Sequence, residues 1–561
     1  MSRDEFATLL LDNRLNRRDL IRRLTALGLA TPVATAIAMH VAPAVAAPAH
    51  LTVRRSLAQA AGNGTLIVGT ETDIEGFDPG HASALATTRV ISNVLEGLLK
   101  YTPGTVDLEP LLATEVPSLD NGGISADGLT YTFKLRQGVT FHDGTPFNAD
   151  AVKMTYQRLY DKSFAHYDKT NTSGFFLAGL TAVDAVDDAT VKFTLGAPNA
   201  AFMELSNIYA GRLLSPKAIQ EQPPEQWAET DNGTGPFTLK SWDKGVKVEL
   251  ARNDTYWGTK PGLQTLIFRP IPEPTARVSA LLNGEVDMIV VVPPDAIEQI
   301  KGDSGLAYEQ GPSLHYWFIQ LNTKAKPFDD VRVRQAVNYA VDKEGLANDI
   351  LQGSAVPATQ PMPAANWSYN PDVKGYPYDP DKAKSLLADA GLSDGFKTKM
   401  IIPQSGSGMM IPVQMNEYIQ GNLADVGIQV DIQSYEWVSY LGIWAKGLTD
   451  EVTMGNQSIM ASDPYVANFL LAGGFTPADG GWNIGYYENP DVDKLLADAL
   501  ATADKEQRKQ LYYQAWAKIT DDAPWIFVVN DLQPMAFKTK VKGYVTNPAY
   551  VIDFTTITVE E

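Results

Sequence analysis

The composition of the chain excludes several classes of protein. It has 561 residues, of which 46 are Lys or Arg and 66 are Asp or Glu, giving a formal charge of −20. This excess of acids argues against nucleic-acid binding, because binding to phosphate backbones relies on clustered cations. Cysteine is absent, which excludes disulfides, thiolate catalysis and iron–sulfur clusters. At roughly 150 residues per domain, the length is enough for about two to four domains.

The N-terminal 46 residues have the pattern of an export signal. Two arginines at positions 17 and 18 precede an Ala-, Leu- and Val-rich stretch at 24–47. The order of a basic run, an apolar run and small residues resembles a twin-arginine signal. We therefore expect a signal peptide at 1–46, a linker at 47–64, and a mature protein on the outer side of the cytoplasmic membrane. The alternative is a basic amphipathic helix at the start of a cytosolic protein.

Short strands dominate the first half of the mature chain. Residues 66–68 form an apolar run typical of a buried strand. Alternating apolar and polar residues predict half-exposed strands at 131–135, 191–195 and 246–250. Between the first two of these strands, Asn148 precedes an apolar stripe of helical spacing and is predicted to cap a helix.

In the second half, helices alternate with strands that we expect to be parallel. Asp379 and Asn489 each stand before a proline and an apolar stripe of helical spacing, the pattern of a capped helix. A strand at 399–402, a helix at 412–425 and a returning strand at 428–432 predict a right-handed βαβ unit. The sequence therefore predicts an α/β fold with partly parallel sheets, divided into two lobes.

No catalytic or metal-binding motif is recognisable in the sequence. The six histidines include no pair spaced three or four apart, which argues against a helical metal site. His142 stands two residues before Gly144 and is interpreted as part of a turn. The serines at 405–408 lack the glycine pattern of a nucleophile elbow, so a flexible loop is expected there. We therefore expect no catalytic residue, no metal and no cofactor, with an exported hydrolase or a ligand sensor as the alternatives.

Aromatic residues are the candidates for ligand contact instead. Along the predicted strand at 315–322, Trp317 and Ile319 share one face, while Tyr316 and Phe318 share the other. One face can then be core and the other can line a cleft. Core packing is the competing interpretation for every tryptophan. Four more tryptophans offer flat surfaces for a ligand: Trp367, Trp437, Trp444 and Trp482.

Several motifs together resemble those of a known family. Among them are F-D-P at 77–79, F-H-D-G-T-P-F-N-A-D at 141–150, G-T-G-P-F at 233–237 and N-G-E-V-D at 283–287. With these motifs the chain resembles the extracytoplasmic solute-binding proteins of ABC importers, in the family that includes oligopeptide-, dipeptide- and nickel-binding proteins. The resemblance covers essentially the whole mature chain.

The resemblance implies a two-lobed periplasmic-binding-protein-like fold of type II, with an extra inserted subdomain and two hinge strands. Lobe I is expected at 65–311 plus 533–561, with the inserted subdomain at about 97–232, and lobe II at 312–532. The implied function is to capture a solute in the inter-lobe cleft and deliver it to a membrane permease. Binding energy would drive closure of the lobes. The implied protein is a monomer that meets permease and ATPase subunits transiently.

The ligand class remains open in the sequence. In peptide-binding members, an Asp four residues before a Pro pairs with the peptide α-ammonium, whereas Met460 holds that position here and Asp463 directly precedes Pro464. A peptide or peptide-like solute is still expected, and an oligosaccharide or other neutral solute is the alternative. The candidate ligand-binding residues are His81, Ser83, Tyr316, Trp317, Trp367, Trp437, Asn456, Gln457, Met460, Asp463 and Trp482.

Overall fold

A computed structural model describes residues 64–82, 84–404 and 411–560. The predicted signal at 1–46, nearly all of the linker, Ser83 and the loop at 405–408 lie outside the described residues. Within the described part, no helix has both the length and the apolar character needed to cross a membrane.

A seven-stranded mixed sheet forms the centre of the first lobe. Its strand Thr65–Thr70 is buried throughout, as the apolar run predicted, and is parallel to both of its neighbours. The other pairings in this sheet are antiparallel. In spatial order the strands are Leu306–Glu309, Met535–Lys538, Met288–Val290, Thr65–Thr70, Thr265–Pro270, Lys247–Arg252 and Phe237–Asp243.

A six-stranded sheet forms the centre of the second lobe. Phe396–Pro403 and Ile428–Tyr435 pair in parallel, and the helix Pro412–Asp425 connects them, so the predicted βαβ unit is confirmed. In spatial order the strands are Ala355–Pro357, Trp525–Asp531, His315–Leu321, Met454–Met460, Phe396–Pro403 and Ile428–Tyr435.

The chain passes between the two sheets twice, at 310–314 and at 532–534. The two crossing segments are hydrogen-bonded to each other, because Gly311 N donates to Leu532 O at 2.8 Å. Ser313 Oγ also donates to Asp531 O at 2.9 Å. The connection between the lobes is therefore a narrow double crossing, the arrangement that permits hinge motion.

An inserted subdomain lies in the chain between the strands Thr65–Thr70 and Phe237–Asp243 of the seven-stranded sheet. Its three-stranded antiparallel sheet has the order Thr130–Lys134, Thr190–Leu195, Leu180–Asp187. The helix Ala149–Tyr160 packs on this sheet, and Asn148 accepts from Ala151 N at 3.1 Å, as the predicted cap requires. Two further antiparallel pairs complete the strands: Leu99–Tyr101 with Leu108–Pro110, and Val541–Lys542 with Thr558–Val559.

The helices cover the sheets and carry the predicted caps. Asp379 accepts from Lys382 N at 2.8 Å, and Asn489 accepts from Asp491 N at 3.0 Å. The α-helices of the described residues are Leu85–Ile91, Ala149–Tyr160, Phe202–Glu204, Pro216–Glu221, Pro224–Trp227, Pro274–Leu282, Ile297–Gly302, Val331–Ala340, Lys343–Gly345, Pro380–Asp389, Pro412–Asp425, Trp437–Trp444, Asn468–Leu471, Pro490–Ala501 and Lys505–Asp522. Short 3₁₀ or π turns occupy Ser173–Leu177, Leu205–Tyr209, Pro294–Ala296, Leu346–Ile350, Pro464–Ala467, Gly473–Phe475 and Pro477–Asp479.

Candidate functional site

The strand His315–Leu321 separates two apolar cores of lobe II. Trp317 and Ile319 belong to the core that includes residues of the helices Val331–Ala340 and Pro412–Asp425, which we call the back of the sheet. Tyr316 and Phe318 belong to the core on the opposite face, which includes residues of the helix Lys505–Asp522. The predicted alternation is therefore confirmed. Trp317 packs in the core that contains no residue of lobe I, so the structure does not place this candidate on the side where the lobes meet.

The neighbouring strand follows the same alternation. Gln457 lies directly opposite Phe318, and Asn456 lies directly opposite Ile319. Because directly opposed residues of an antiparallel pair project to the same face, Gln457 shares the face of Tyr316 and Asn456 shares the opposite one. Among these strand candidates, the structure brings together Tyr316 and Gln457 and places Asn456 behind the sheet.

The core around Tyr316 reaches across to lobe I. It includes Ala201 and Leu205 of the inserted subdomain. At its edge, the ring of Phe175 from the inserted subdomain lies 4.7 Å from that of Phe469 and is stacked at 5.8 Å on that of Trp482. The predicted candidate Trp482 is thus part of an aromatic contact between the lobes.

Asp463 is engaged by other groups of the protein. Its Oδ1 accepts from Arg508 Nη2 at 2.6 Å and from Tyr465 N at 2.8 Å, where it caps the turn Pro464–Ala467. Asp463 is only 2% exposed. Burial lowers the pKa of Arg508, but Asp463 and Tyr512 more than offset this effect, so that the pKa is raised overall. The two side chains therefore form a buried ion pair, in which the guanidinium already neutralises the carboxylate.

The inserted subdomain completes the charged cluster around this ion pair. Ala200 O accepts from Arg508 Nη1 at 3.3 Å, and Ala200 N donates to Leu500 O at 2.8 Å. Tyr101 Oη donates to Glu204 at 2.7 Å. Desolvation, followed by the nearby Asp463 carboxylate, raises the pKa of Glu204 to about 7. Charged groups of both lobes thus meet at one place.

Of the remaining candidates in lobe II, one lies in the charged cluster around Arg508 and Asp463 and two lie outside it. Trp367 belongs to the cluster, because the Arg508 guanidinium lies 5.2 Å from its ring centroid. Met460 is half-buried and packs against apolar residues of lobe I. Trp437 packs instead on the ring of Tyr440 at 6.1 Å.

His81 contacts two carboxylates of lobe I. Its Nε2 lies 2.7 Å from an Asp168 oxygen and 3.9 Å from an Asp78 oxygen. Within the described residues this is the one group whose ligand atoms are close enough for a metal ion. However, Arg158 already pairs with Asp78 at 2.5 Å, and Thr170 donates to Asp168 at 2.7 Å. The donors therefore fit a satisfied ion-pair network better than a metal site.

Sequence reasoning missed three residues that contribute to the contact between the lobes: Phe175, Glu204 and Arg508. One signal could have found Arg508. It stands on the buried stripe of Lys505–Asp522, together with Tyr512, Trp516 and Ile519. A lone cation on an apolar helix stripe needs a buried partner. Phe175 and Glu204 carry no such local signal.

Two lobes joined by a narrow double crossing, with aromatic and polar groups meeting between them, define a solute-binding protein. Residues 107–478 match the family model described as "Bacterial extracellular solute-binding proteins, family 5 Middle". The chain belongs to this family, whose members are substrate-binding components of ABC importers. The expected family and two-lobed fold are confirmed.

Similar proteins cover nearly the whole chain. Heme-binding protein A of Haemophilus influenzae is 32% identical over 524 residues, which are 89% of this chain and 93% of that protein. The dipeptide-binding protein of Escherichia coli is 32% identical over 516 residues, which are 88% of this chain and 95% of that protein. The structure of the periplasmic binding protein DppA from Helicobacter pylori in complex with the peptide STSA has a TM-score of 0.76 and 30% identity, covering 89% of this chain and 98% of that one.

Proposed function

We propose that this protein captures a peptide-like solute between its lobes, outside the cytoplasmic membrane, and presents the closed form to a membrane permease. Three buried polar atoms of lobe II carry the proposal, and two of them belong to residues of the core that Ala201 and Leu205 of the inserted subdomain share, Tyr316 and Trp444. Within the described residues they have no hydrogen-bond partner: Tyr316 Oη, Trp444 Nε1 and Asn468 Oδ1. Unpaired buried polar groups are unfavourable, and a solute rich in amide groups would supply partners for both donors and acceptors.

The surroundings of these atoms fit a solute with neutral polar groups. Burial raises the pKa of Tyr316, so its hydroxyl stays protonated and can donate. The ring of Trp482 lies 6.5 Å from that of Trp444 and 5.5 Å from that of Phe469, so apolar surface adjoins Trp444. The relatives named for dipeptides and the complex with a peptide support the same ligand class.

A neutral solute, such as an oligosaccharide, is the second candidate. It is favoured by the ion pair of Asp463 with Arg508, because a solute ammonium could reach this buried carboxylate only by displacing the guanidinium. The two candidate solutes, a peptide and an oligosaccharide, give different fragments in mass spectrometry. Native mass spectrometry of protein purified from its own growth medium, followed by fragmentation of the released solute, would show amide cleavage for a peptide and hexose loss for an oligosaccharide.

The role of the unpaired atoms is tested by Tyr316→Phe. The variant keeps the ring and removes the hydroxyl, so we expect about tenfold weaker binding of the retained solute, the effect of one lost hydrogen bond. Tyr369→Phe is the matched control, since Tyr369 is a half-buried tyrosine whose hydroxyl contacts the Thr359 hydroxyl at 3.4 Å. Equal affinity of Tyr316→Phe and the parent by calorimetry would contradict the assignment. Recovery of the solute unchanged after incubation would agree with binding without catalysis.

A further inference from the structure

Arg508 occupies a cage of groups that bind cations. The Asp463 carboxylate lies 2.6 Å from its Nη2, and Ala200 O lies 3.3 Å from its Nη1. The rings of Trp367 and Tyr512 lie 5.2 and 5.5 Å from the guanidinium carbon. A carboxylate, a carbonyl oxygen and two aromatic rings are the groups that proteins use to bind guanidinium and ammonium groups.

The cage is built from both lobes. Trp367, Asp463 and Tyr512 belong to lobe II, whereas Ala200 belongs to the inserted subdomain of lobe I. Glu204, also from the inserted subdomain, lies close enough to Asp463 for the two carboxylates to affect each other. The cation at the centre therefore interacts with groups that separate when the lobes open.

The fit of Arg508 in this cage is incomplete. It contacts the Asp463 carboxylate through Nη2 alone, whereas an ideal arginine–carboxylate pair uses a two-pronged fork. Its Nε is buried and has no hydrogen-bond partner within the described residues.

We propose, on the basis of the proposed function, that Arg508 is a built-in cation that occupies a cation-binding cage between the lobes and sets the charge selectivity of the solute site. While Arg508 is present, its guanidinium neutralises the buried Asp463 carboxylate, so we expect the solute to carry no ammonium or guanidinium group at this point. Removing the side chain leaves a carboxylate beside two aromatic rings, open to an external cation.

The test is chemical rescue with methylguanidinium chloride, which matches the end of the missing side chain. We expect Arg508→Ala to melt at a lower temperature than the parent and to regain stability with a saturable dependence on millimolar methylguanidinium. The matched control is Arg332→Ala, because Arg332 pairs with Asp330 at 2.5 Å on the surface. The parent, Arg332→Ala and Arg508→Ala with Asp463→Asn should show no saturable rescue. Absence of rescue in Arg508→Ala, or rescue that persists without the Asp463 carboxylate, would overturn the proposal.

A second readout addresses selectivity directly. Binding of trialanine and of N-acetyl-trialanine is compared by calorimetry, and Arg508→Ala should shift the ratio of their affinities toward the free amine by about tenfold relative to the parent. An unchanged ratio would overturn the selectivity claim. If Arg508→Ala does not fold alone, refolding from urea with and without methylguanidinium replaces melting, and equal yields would overturn the cage.

The outcomes separate this inference from the proposed function. Parent protein that retains no peptide-like solute, together with rescue of Arg508→Ala, would reject the proposed function and leave the cage intact. Retained solute without rescue would reject the cage alone.

Discussion

His142 is held between two hydrogen-bond acceptors. Its Nδ1 bonds to the Asp231 carboxylate, and its Nε2 bonds to Gly235 O at 2.9 Å. Both ring nitrogens must carry a proton to donate to these oxygens. Burial lowers the pKa of His142, but Asp231 and Gly235 O offset this effect and raise it overall from 6.5. The turn at this position was predictable, since Gly144 N donates to Phe141 O at 2.9 Å, but the carboxylate partner was not, because it is 89 residues away.

This arrangement predicts a pH-dependent contribution to stability. Because the pKa of His142 is raised in the folded state, its stabilising effect is present below pH 6.5 and is lost as the pH rises through the folded pKa. We expect His142→Gln to cost about 1–3 kcal/mol at acidic pH and less at alkaline pH. Urea unfolding across that range measures this difference. His166→Gln, at a half-exposed histidine beside Phe164, serves as the control, and a constant cost at all pH values would contradict the assignment.

At the scale of elements, local signals were sufficient for caps and strand alternation. Asn148, Asp379 and Asn489 cap their helices as expected, because capping depends on side chains and amides only two or three residues apart. The segment Phe202–Glu204 of the inserted subdomain shows that such local signals do not predict contacts between the lobes. Glu204 in this segment interacts with Asp463 of lobe II, which is far from it in the sequence, and only the folded chain brings the two together.

The βαβ unit of lobe II contains a close approach that supports a second prediction. Gly427, predicted to end the helix, has φ +90°, and its carbonyl oxygen would lie 1.9 Å from a Cβ added at Gly395, where φ is +73°. Gly391, with φ +80° and no heavy atom within 4 Å among the described residues, is the matched control. In both alanine variants, the positive φ should lower the free energy of unfolding by about 1 kcal/mol. In Gly395→Ala, urea unfolding should show a further loss of about 1–3 kcal/mol, because the two strands must move apart to make room for the Cβ. Equal losses would contradict the close contact.

The segment around Glu204 supports a third prediction, on pH and the contact between the lobes. Its pKa, raised from 4.5 to about 7 by desolvation and by Asp463, means that the folded state retains a proton that the unfolded state releases. The contribution of Glu204 to stability is therefore fully present below pH 4.5 and is lost as the pH rises through about 7. Glu204→Gln should flatten this part of the melting-temperature profile. Glu229→Gln, at an exposed acid paired with Lys244, should leave the slope unchanged, and a slope unaffected by Glu204→Gln would contradict the prediction.

At the scale of the whole molecule, the resemblance predicted the family, while the residues that join the lobes came only from the structure. The order of strands and helices defined an α/β fold, because each element carries its own periodicity. Which groups meet between the lobes depends on how two separate cores dock. Phe175, in the middle of the short turn Ser173–Leu177 of the inserted subdomain, has no local pattern that indicates an aromatic contact with Trp482.

That aromatic contact predicts how opening of the lobes responds to a single truncation. Phe175→Ala removes ring contacts with Phe469 and Trp482 worth about 1 kcal/mol, which corresponds to a roughly fivefold shift toward the open form. The Ala200 amide reports this shift, because its hydrogen bond to Leu500 O joins the lobes. In hydrogen exchange, its protection should fall about fivefold in Phe175→Ala, since exchange follows the population of the open form.

The control for this experiment is Val186→Ala, an apolar truncation on a strand of the same subdomain, where the side chain is 58% exposed. It should leave the protection of Ala200 unchanged. Global unfolding is separated from opening by the amide of Phe318, which bonds within the central sheet of lobe II and should keep its protection in both variants. If Ala200 and Phe318 lost protection together in Phe175→Ala, the ring would support the fold as a whole, and the two lobes would not open as separate bodies about their double crossing.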